Sequence, residues 1–195
     1  MSLSKINNVL LALIIVVNAY VIVAPLWPGL VFKVQSHQGK QQQLEAMVHP
    51  SKSAKPAQAA PRPNSVIIPS MLLDQPILEG TVVNQYKVLD KGIWRWPRGS
   101  TPDRGGNTVL IGHRFTYTNP RGVFYFLNKV KMGDEMAVFW SGKEYLYKVQ
   151  TIQEVSPHDT AIENPSAQPE LTLFTCTPLW LPKDRLVVVA GLEKP

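Results

Sequence analysis

The chain has 195 residues, a formal charge of +6, four histidines and a single cysteine. That length suits one domain with appendages, and one cysteine excludes an intramolecular disulfide and argues against a cysteine-based structural zinc site. The charge is uneven: up to Ser65, Lys5, Lys33, Lys40, Lys52, Lys55 and Arg62 face Glu45 alone, a balance of +5 that leaves about +1 for the remainder. A folded part so close to neutral argues against nucleic-acid binding, which needs basic residues clustered on a folded face.

From Val9 to Trp27 the sequence is apolar apart from Asn18 and Tyr20, with Pro25 and Pro28 near its end. About nineteen residues at 1.5 Å each give roughly 28 Å, close to the hydrocarbon thickness of a bilayer. The run is long for a signal-peptide core, and no small-x-small pair stands at a convincing distance for cleavage. The expectation is an uncleaved transmembrane anchor over 9–33 after a short cytoplasmic N-terminus over 1–8, with a cleaved signal peptide as the alternative. Lys5 precedes the span while Lys33 and Lys40 follow it, so charge does not orient it.

Residues 34–65 turn to Gln, Lys, Ala, Ser and Pro, with too few large apolar side chains to offset the entropy of ordering them. Gln38–Val48 has helical character and the proline-bearing part should be extended. This reads as a flexible stalk near an anionic surface.

The folded domain is expected over 66–195. Val66-Ile67-Ile68-Pro69 and Pro76-Ile77-Leu78 read as short strands whose prolines mark edges or ends. Thr81–Asp90 suits one short helix ended by Gly92, and Trp94 to Asn107 reads as irregular. Thr108–His113 reads as a buried strand delivering a histidine at its end. Phe124–Val130 suits a helical turn, and Glu135–Trp140 with Lys143–Glu154 a hairpin around Ser141-Gly142. Several short strands with Gly/Pro turns and brief helices indicate a closed or nearly closed β-barrel.

Leu171-Thr172-Leu173-Phe174-Thr175-Cys176-Thr177-Pro178 is the stretch with chemical interest. Its residue types fit a pleated surface, and Pro178 stops the strand within a residue or two of the thiol. Arg185 then opens the run Leu186-Val187-Val188-Val189-Ala190, so antiparallel pairing across the loop brings thiol and guanidinium together. Each of these residues has a plainer reading. A lone cysteine is most often a small buried hydrophobe, His113 a satisfied strand-end histidine, and Arg185 an ion-pair partner of Asp184 or Glu193. Together they supply a nucleophile, a general acid for the departing amine and an always-charged donor for a tetrahedral oxyanion.

Thr-Leu-Phe-Thr-Cys at 172–176 with Thr-Pro after it, Arg-Leu-Val-Val at 185–188 and Gly-Asn-Thr-Val-Leu-Ile-Gly-His-Arg at 106–114 resemble the active-site signature of the sortases. The resemblance extends through Val-Ile-Ile-Pro at 66–69, Gly-Ile-Trp-Arg-Trp-Pro at 92–97, Phe126-Leu127 and Gly133-Asp134. It implies an eight-stranded sortase-type barrel outside a cell membrane, anchored by a single pass with the C-terminal domain extracellular. Such enzymes cut a Leu-Pro-x-Thr-Gly-type sorting signal, hold the acyl group as a cysteine thioester and pass it to an amine of a peptidoglycan precursor or a pilin. The resemblance implies Cys176 as nucleophile, His113 as general acid and then base, and Arg185 as brace for substrate and oxyanion, with Thr175, Thr177 and Trp180 along the groove. It implies no cofactor. No acidic cluster clearly builds a calcium site, although Asp103, Asp159 and Glu163 lie in loops. No Asp-Pro-aromatic lid segment precedes the barrel, and the Trp94–Asn107 segment is more similar to the class E group than to class A. A degenerate sortase-like domain that binds sorting signals or scaffolds pilus assembly is the alternative function.

Overall fold

A computed structural model describes residues 2–49, 62–116, 121–179 and 181–194, and the chain divides into two compact units, 1–40 and 41–195. The first unit is dominated by α1 (Leu3–His37), whose Leu3–Ala24 portion is long and apolar enough to cross a membrane. Its 22 residues rise roughly 33 Å. Leu13, Ile15 and Val16 along it are exposed. Asn18, the polar interruption in the apolar run, donates its side-chain amide to Ile14 O at 2.8 Å, giving that group a partner where hydrocarbon would offer none.

In the second unit α2 (Lys40–Val48) buries Leu44 and Val48, and His49 beyond its end pairs with Glu135. The first part of the expected stalk is therefore helical, through the end of α1 at His37 and through α2 where helical character was expected over Gln38–Val48; most of its proline-bearing part lies outside the described residues. Eight strands follow: β1 (Ser65–Ile68), β2 (Leu73–Leu78), β3 (Ile93–Arg95), β4 (Asn107–Ile111), β5 (Glu135–Trp140), β6 (Lys143–Val155), β7 (Glu170–Thr177) and β8 (Asp184–Lys194). They close into a barrel in the order β1-β2-β3-β4-β7-β8-β6-β5, with β1 antiparallel to β5 at the seam. The expected closed eight-stranded β-barrel with short helices is the observed fold.

Two junctions are parallel, β2–β3 and β4–β7, and a parallel step needs a long connection. Between β2 and β3 it is a 3₁₀ turn (Val82–Asn84) running into α3 (Gln85–Leu89). The single helix expected over 81–90 is thus a short composite. Between β4 and β7 the connection includes the β5–β6 hairpin. Alternation fills the interior: Leu171, Leu173, Tyr145, Tyr147, Val188 and Ala190 belong to one buried cluster, joined by Phe124 and Leu127 from the turn between β4 and β5. A second cluster of Val109, Phe174 and Val187 with Ile162 uses the opposite faces of β4, β7 and β8, so these central strands are covered on both sides.

Two details differ from the sequence expectation. The segment read as irregular, Trp94 to Asn107, begins inside β3, which pairs on both edges. Arg95 holds it there, its Nε and Nη2 reaching the two Glu79 carboxylate oxygens at 2.7 Å each and its Nη1 donating to Trp96 O at 3.1 Å and Gly99 O at 3.3 Å. The strand before His113 ends at Ile111, which leaves the histidine on the loop.

Leu173 is fully buried, so Leu173→Ala should cost about 2–5 kcal/mol through lost transfer energy and the residual cavity. Val83, 97% exposed, is the control, and Val83→Ala should stay within about 0.5 kcal/mol. Urea denaturation of the purified chain measures both.

Candidate active site

β7 and β8 are antiparallel with Cys176 directly opposite Arg185, and side chains directly opposite each other in such a pair project to the same face. Leu171 and Leu173 point into the interior cluster while Phe174 joins the outer one. The period of two therefore carries Cys176 outward, and it is exposed. The guanidinium of Arg185 lies over the Phe174 ring, 5.0 Å from its centroid. Its Nη1 is 3.5 Å from Glu163 Oε1.

His113 reaches the same place by a different route. β4 runs parallel to β7 with Ile111 beside Phe174; two more steps along that register bring His113 level with Cys176. The backbone past the strand keeps the line. Gly112 N–H donates to Phe174 O at 3.3 Å, and Phe124 N–H donates to His113 O at 3.0 Å. The Thr175 hydroxyl donates to Gly112 O at 2.7 Å. His113 Nε2 stands 3.6 Å from Asp90 Oδ1.

His113, Cys176 and Arg185 all line one groove of about 360 Å³, with Trp94, Trp96 and Tyr86 among its walls. Trp94 and Trp96 meet edge to face at 5.4 Å. On its other side His113 borders a second hollow of about 260 Å³ with Asp90, Gly92 and Val123. Thr175 also lines the groove, but its hydroxyl is committed to Gly112. Thr177 is not among the groove residues. It is 3% exposed, accepts from Arg114 Nη1 at 2.9 Å and donates to Glu154 Oε1 at 3.4 Å. Trp180 lies outside the described residues.

Cys176 has surface open to solvent, yet the surrounding groove walls desolvate it enough to push the thiol above its ordinary pKa, and the positive charge of Arg185 pulls against that rise. Desolvation prevails, because the thiolate is the charged form and low polarity disfavours it. Behind the groove, burial lowers the Arg114 guanidinium from its ordinary value while the Glu154 carboxylate opposes the change.

Three groups that sequence reasoning did not place here stand in the site: Glu163 against Arg185, Asp90 against His113, and Phe174 beneath the guanidinium. Phe174 was within reach, since it shares the parity of Cys176 on one strand. Glu163 and Asp90 come from separate connections, and only the closed fold brings them in.

Comparison with known proteins gives the same assignment from independent matches. The sortase-domain family model matches residues 66–193. Sortase SrtE1 of Streptomyces coelicolor is 32% identical over 136 residues, 62% of this chain and 37% of that protein. Sortase D of Bacillus subtilis is 32% identical over 112 residues, 57% of this chain and 52% of that protein. The matches thus span from about a third to about half of those relatives' own lengths. Among solved structures, sortase C-1 from Actinomyces oris superposes with a TM-score of 0.60 at 28% identity, covering 80% of this chain and 82% of that one. Sortase E1 from Streptomyces coelicolor with a tripeptide in its active site gives 0.58 at 29% identity, covering 67% and 87%. With the family model matching nearly the whole barrel in sequence order, and with the barrel itself closed as in those structures, this chain belongs to the sortase family.

Proposed function

We propose that the protein is a membrane-anchored cysteine transpeptidase that cleaves a C-terminal Leu-Pro-x-Thr-Gly-type sorting signal and passes the acyl group to an amine of the cell wall or a pilin. The observation that carries this reading is the in-register opposition of Cys176 and Arg185 in a groove that His113 also lines. Family membership supports the reaction class. The apolar α1, whose Leu3–Ala24 portion is long enough to span a bilayer, supports a single-pass anchor, proposed over residues 9–33; the barrel outside the cell rests on the family resemblance alone.

In this mechanism the Cys176 thiolate attacks the carbonyl carbon of the scissile Thr–Gly bond. Its proton has gone to the His113 imidazole, and the carbonyl π electrons move onto oxygen. The Arg185 guanidinium holds that oxyanion. As the tetrahedral centre collapses, the C–N bond breaks and His113 donates its proton to the departing glycine amine. A thioester on Cys176 remains. The acceptor amine attacks it, His113 takes a proton from the incoming nitrogen, and the thiolate leaves.

Burial raises the Cys176 thiol and the Arg185 charge opposes that rise, and the nucleophile is the thiolate. Arg185 carries two tasks in this reading, lowering the cost of the thiolate and stabilising the oxyanion.

Cys176→Ala should reduce cleavage of a Leu-Pro-x-Thr-Gly peptide to background and remove the peptide-sized mass adduct of the acyl-enzyme. Turnover unchanged in that variant rejects the reading; intact peptide binding without an adduct on the wild-type cysteine favours a binding scaffold. Arg185→Ala should slow cleavage about 100-fold, since an oxyanion donor is worth on the order of 3 kcal/mol. The same substitution should also move the midpoint of Cys176 alkylation by iodoacetamide to higher pH, because the charge that offsets burial is gone. Alkylation rates across pH test the sign directly.

A further inference from the structure

The reaction just described gives no task to Glu163, yet its placement is elaborate for a loop residue. It ends the 3₁₀ turn Ala161–Glu163 in the connection between β6 and β7. Connections of this kind are ordinarily the mobile part of a fold. Here a buried side chain of the barrel reaches out to hold it. Asn107, the first residue of β4 and 3% exposed, donates its amide nitrogen to Ile162 O at 3.1 Å and to Asn164 O at 3.0 Å. Those carbonyls belong to the residues on either side of Glu163. Ile162 is itself buried in the outer cluster with Phe174 and Val187, and Asp159 Oδ1 accepts the Ala161 N–H at 2.9 Å. The turn is clamped from three directions, and its carboxylate is presented to Arg185 with only 18% of the side chain exposed.

From this we infer that Glu163 is a positioning residue for Arg185: clamped by Asn107, its carboxylate fixes the direction in which the guanidinium presents its other donors to the groove. The inference rests on the reading of Arg185 as the brace for substrate and oxyanion. A guanidinium carries five N–H donors in a rigid planar fork. The Phe174 ring beneath Cζ attracts the charge of the fork but offers no hydrogen-bond acceptor that would fix the direction of its donors. A carboxylate at Nη1 supplies that acceptor, so the opposite edge keeps a fixed orientation. Preorganised donors of this kind act without reorganisation in the transition state. Glu163 also neutralises part of the charge that Arg185 directs at Cys176, so the pair sets geometry at some expense to thiol activation.

Glu163→Gln keeps the volume of the side chain and removes its charge. Expected are a fall in kcat for peptide cleavage of roughly tenfold to a hundredfold with KM little changed, and a shift of the Cys176 alkylation midpoint to lower pH. The titratable groups lining the groove with Cys176 are Tyr86, His113, Glu163 and Arg185, and only Glu163 is altered. On an Arg185→Ala background, adding Glu163→Gln should leave the midpoint where Arg185→Ala alone puts it. Glu163→Asp, which keeps the charge on a shorter arm, should hold the wild-type midpoint while losing part of kcat, and it serves as the second variant should Glu163→Gln fold poorly. An unchanged midpoint in Glu163→Gln overturns the inference, and a lower kcat without a midpoint shift assigns Glu163 a merely structural part. A midpoint shift that persists without Arg185 also overturns it, because the carboxylate then acts on the thiol directly. Should Arg185→Ala cleave like the wild type, the oxyanion reading fails and with it the kcat expectation, while the alkylation arm, which needs no turnover, still decides whether Glu163 controls Arg185.

Discussion

The pairing of β7 with β8 holds a thiol opposite a guanidinium through main-chain hydrogen bonds, and the rest of the site depends on that register. Side chains along a strand alternate with a period of two, so a slip of one residue would send Cys176 into the barrel and Thr175 and Thr177 out of it. The slip is opposed at several points. Leu171 and Leu173 face Ala190 and Val188 in the interior, where all four are fully buried. Thr175 spends its hydroxyl on Gly112 O, and Thr177 links Arg114 to Glu154. Each buried polar partner left unmatched would cost about 1–3 kcal/mol, and each displaced leucine about as much again. The two threonines therefore serve the groove from inside the barrel, one by anchoring the backbone before His113 and one by fixing the end of β7.

The electrostatic balance in the groove sets burial against charge. Burial raises the thiol, Arg185 lowers it, and Glu163 takes up part of the Arg185 charge. A cation over an aromatic face contributes about 0.5–2 kcal/mol depending on desolvation. An ion pair still open to water on one side contributes about 1 kcal/mol or less. Neither alone would hold a long arginine in one rotamer against an entropy cost of up to about 2 kcal/mol. Phe174 and Glu163 together can, which is why the ring beneath and the carboxylate beside the guanidinium belong to one device.

Much of this was legible from residue patterns. The hairpin around Ser141-Gly142 and the runs that became β4, β7 and β8 announce themselves through alternation and β-branched content, and the opposition of Cys176 to Arg185 follows once those runs are paired. β3 was not legible, because Ile93-Trp94-Arg95 is too short to show a period and sits before Pro97. Its strand character comes from pairing with β2 and β4 and from the hold of Arg95 on Glu79. Thr177 was expected along the groove, yet the alternation that turns Cys176 outward turns Thr177 inward. Asn107 stood in the 106–114 motif and Glu163 among the loop acids, but nothing linked them, since they lie 56 positions apart and Asn107 reaches the carbonyls beside Glu163 only in the closed fold.

His113 poses the remaining physical question, because it lies on a loop while its two partners lie on strands. A catalytic group held loosely loses the benefit of preorganisation within about an ångström. Here the described ends of the loop, 112–116 and 121–124, lie close against each other. A Cβ on Gly112 would stand 2.6 Å from a Val123 side-chain atom and 2.8 Å from the Phe124 ring, so only glycine lets the chain leave β4 beneath that ring. Across from it, a Cβ on Gly122 would meet His113 O at 2.1 Å, so glycine is needed there for the returning strand of the loop to come close. Gly122 N–H then donates to Arg114 O at 3.1 Å and Phe124 N–H to His113 O at 3.0 Å. The fully buried Phe124 pins the return. Gly112 thus carries the line of β4 one bond further along β7, through its N–H to Phe174 O, and Gly122 lets the return of the loop close on His113, so the imidazole gains a backbone held on both sides.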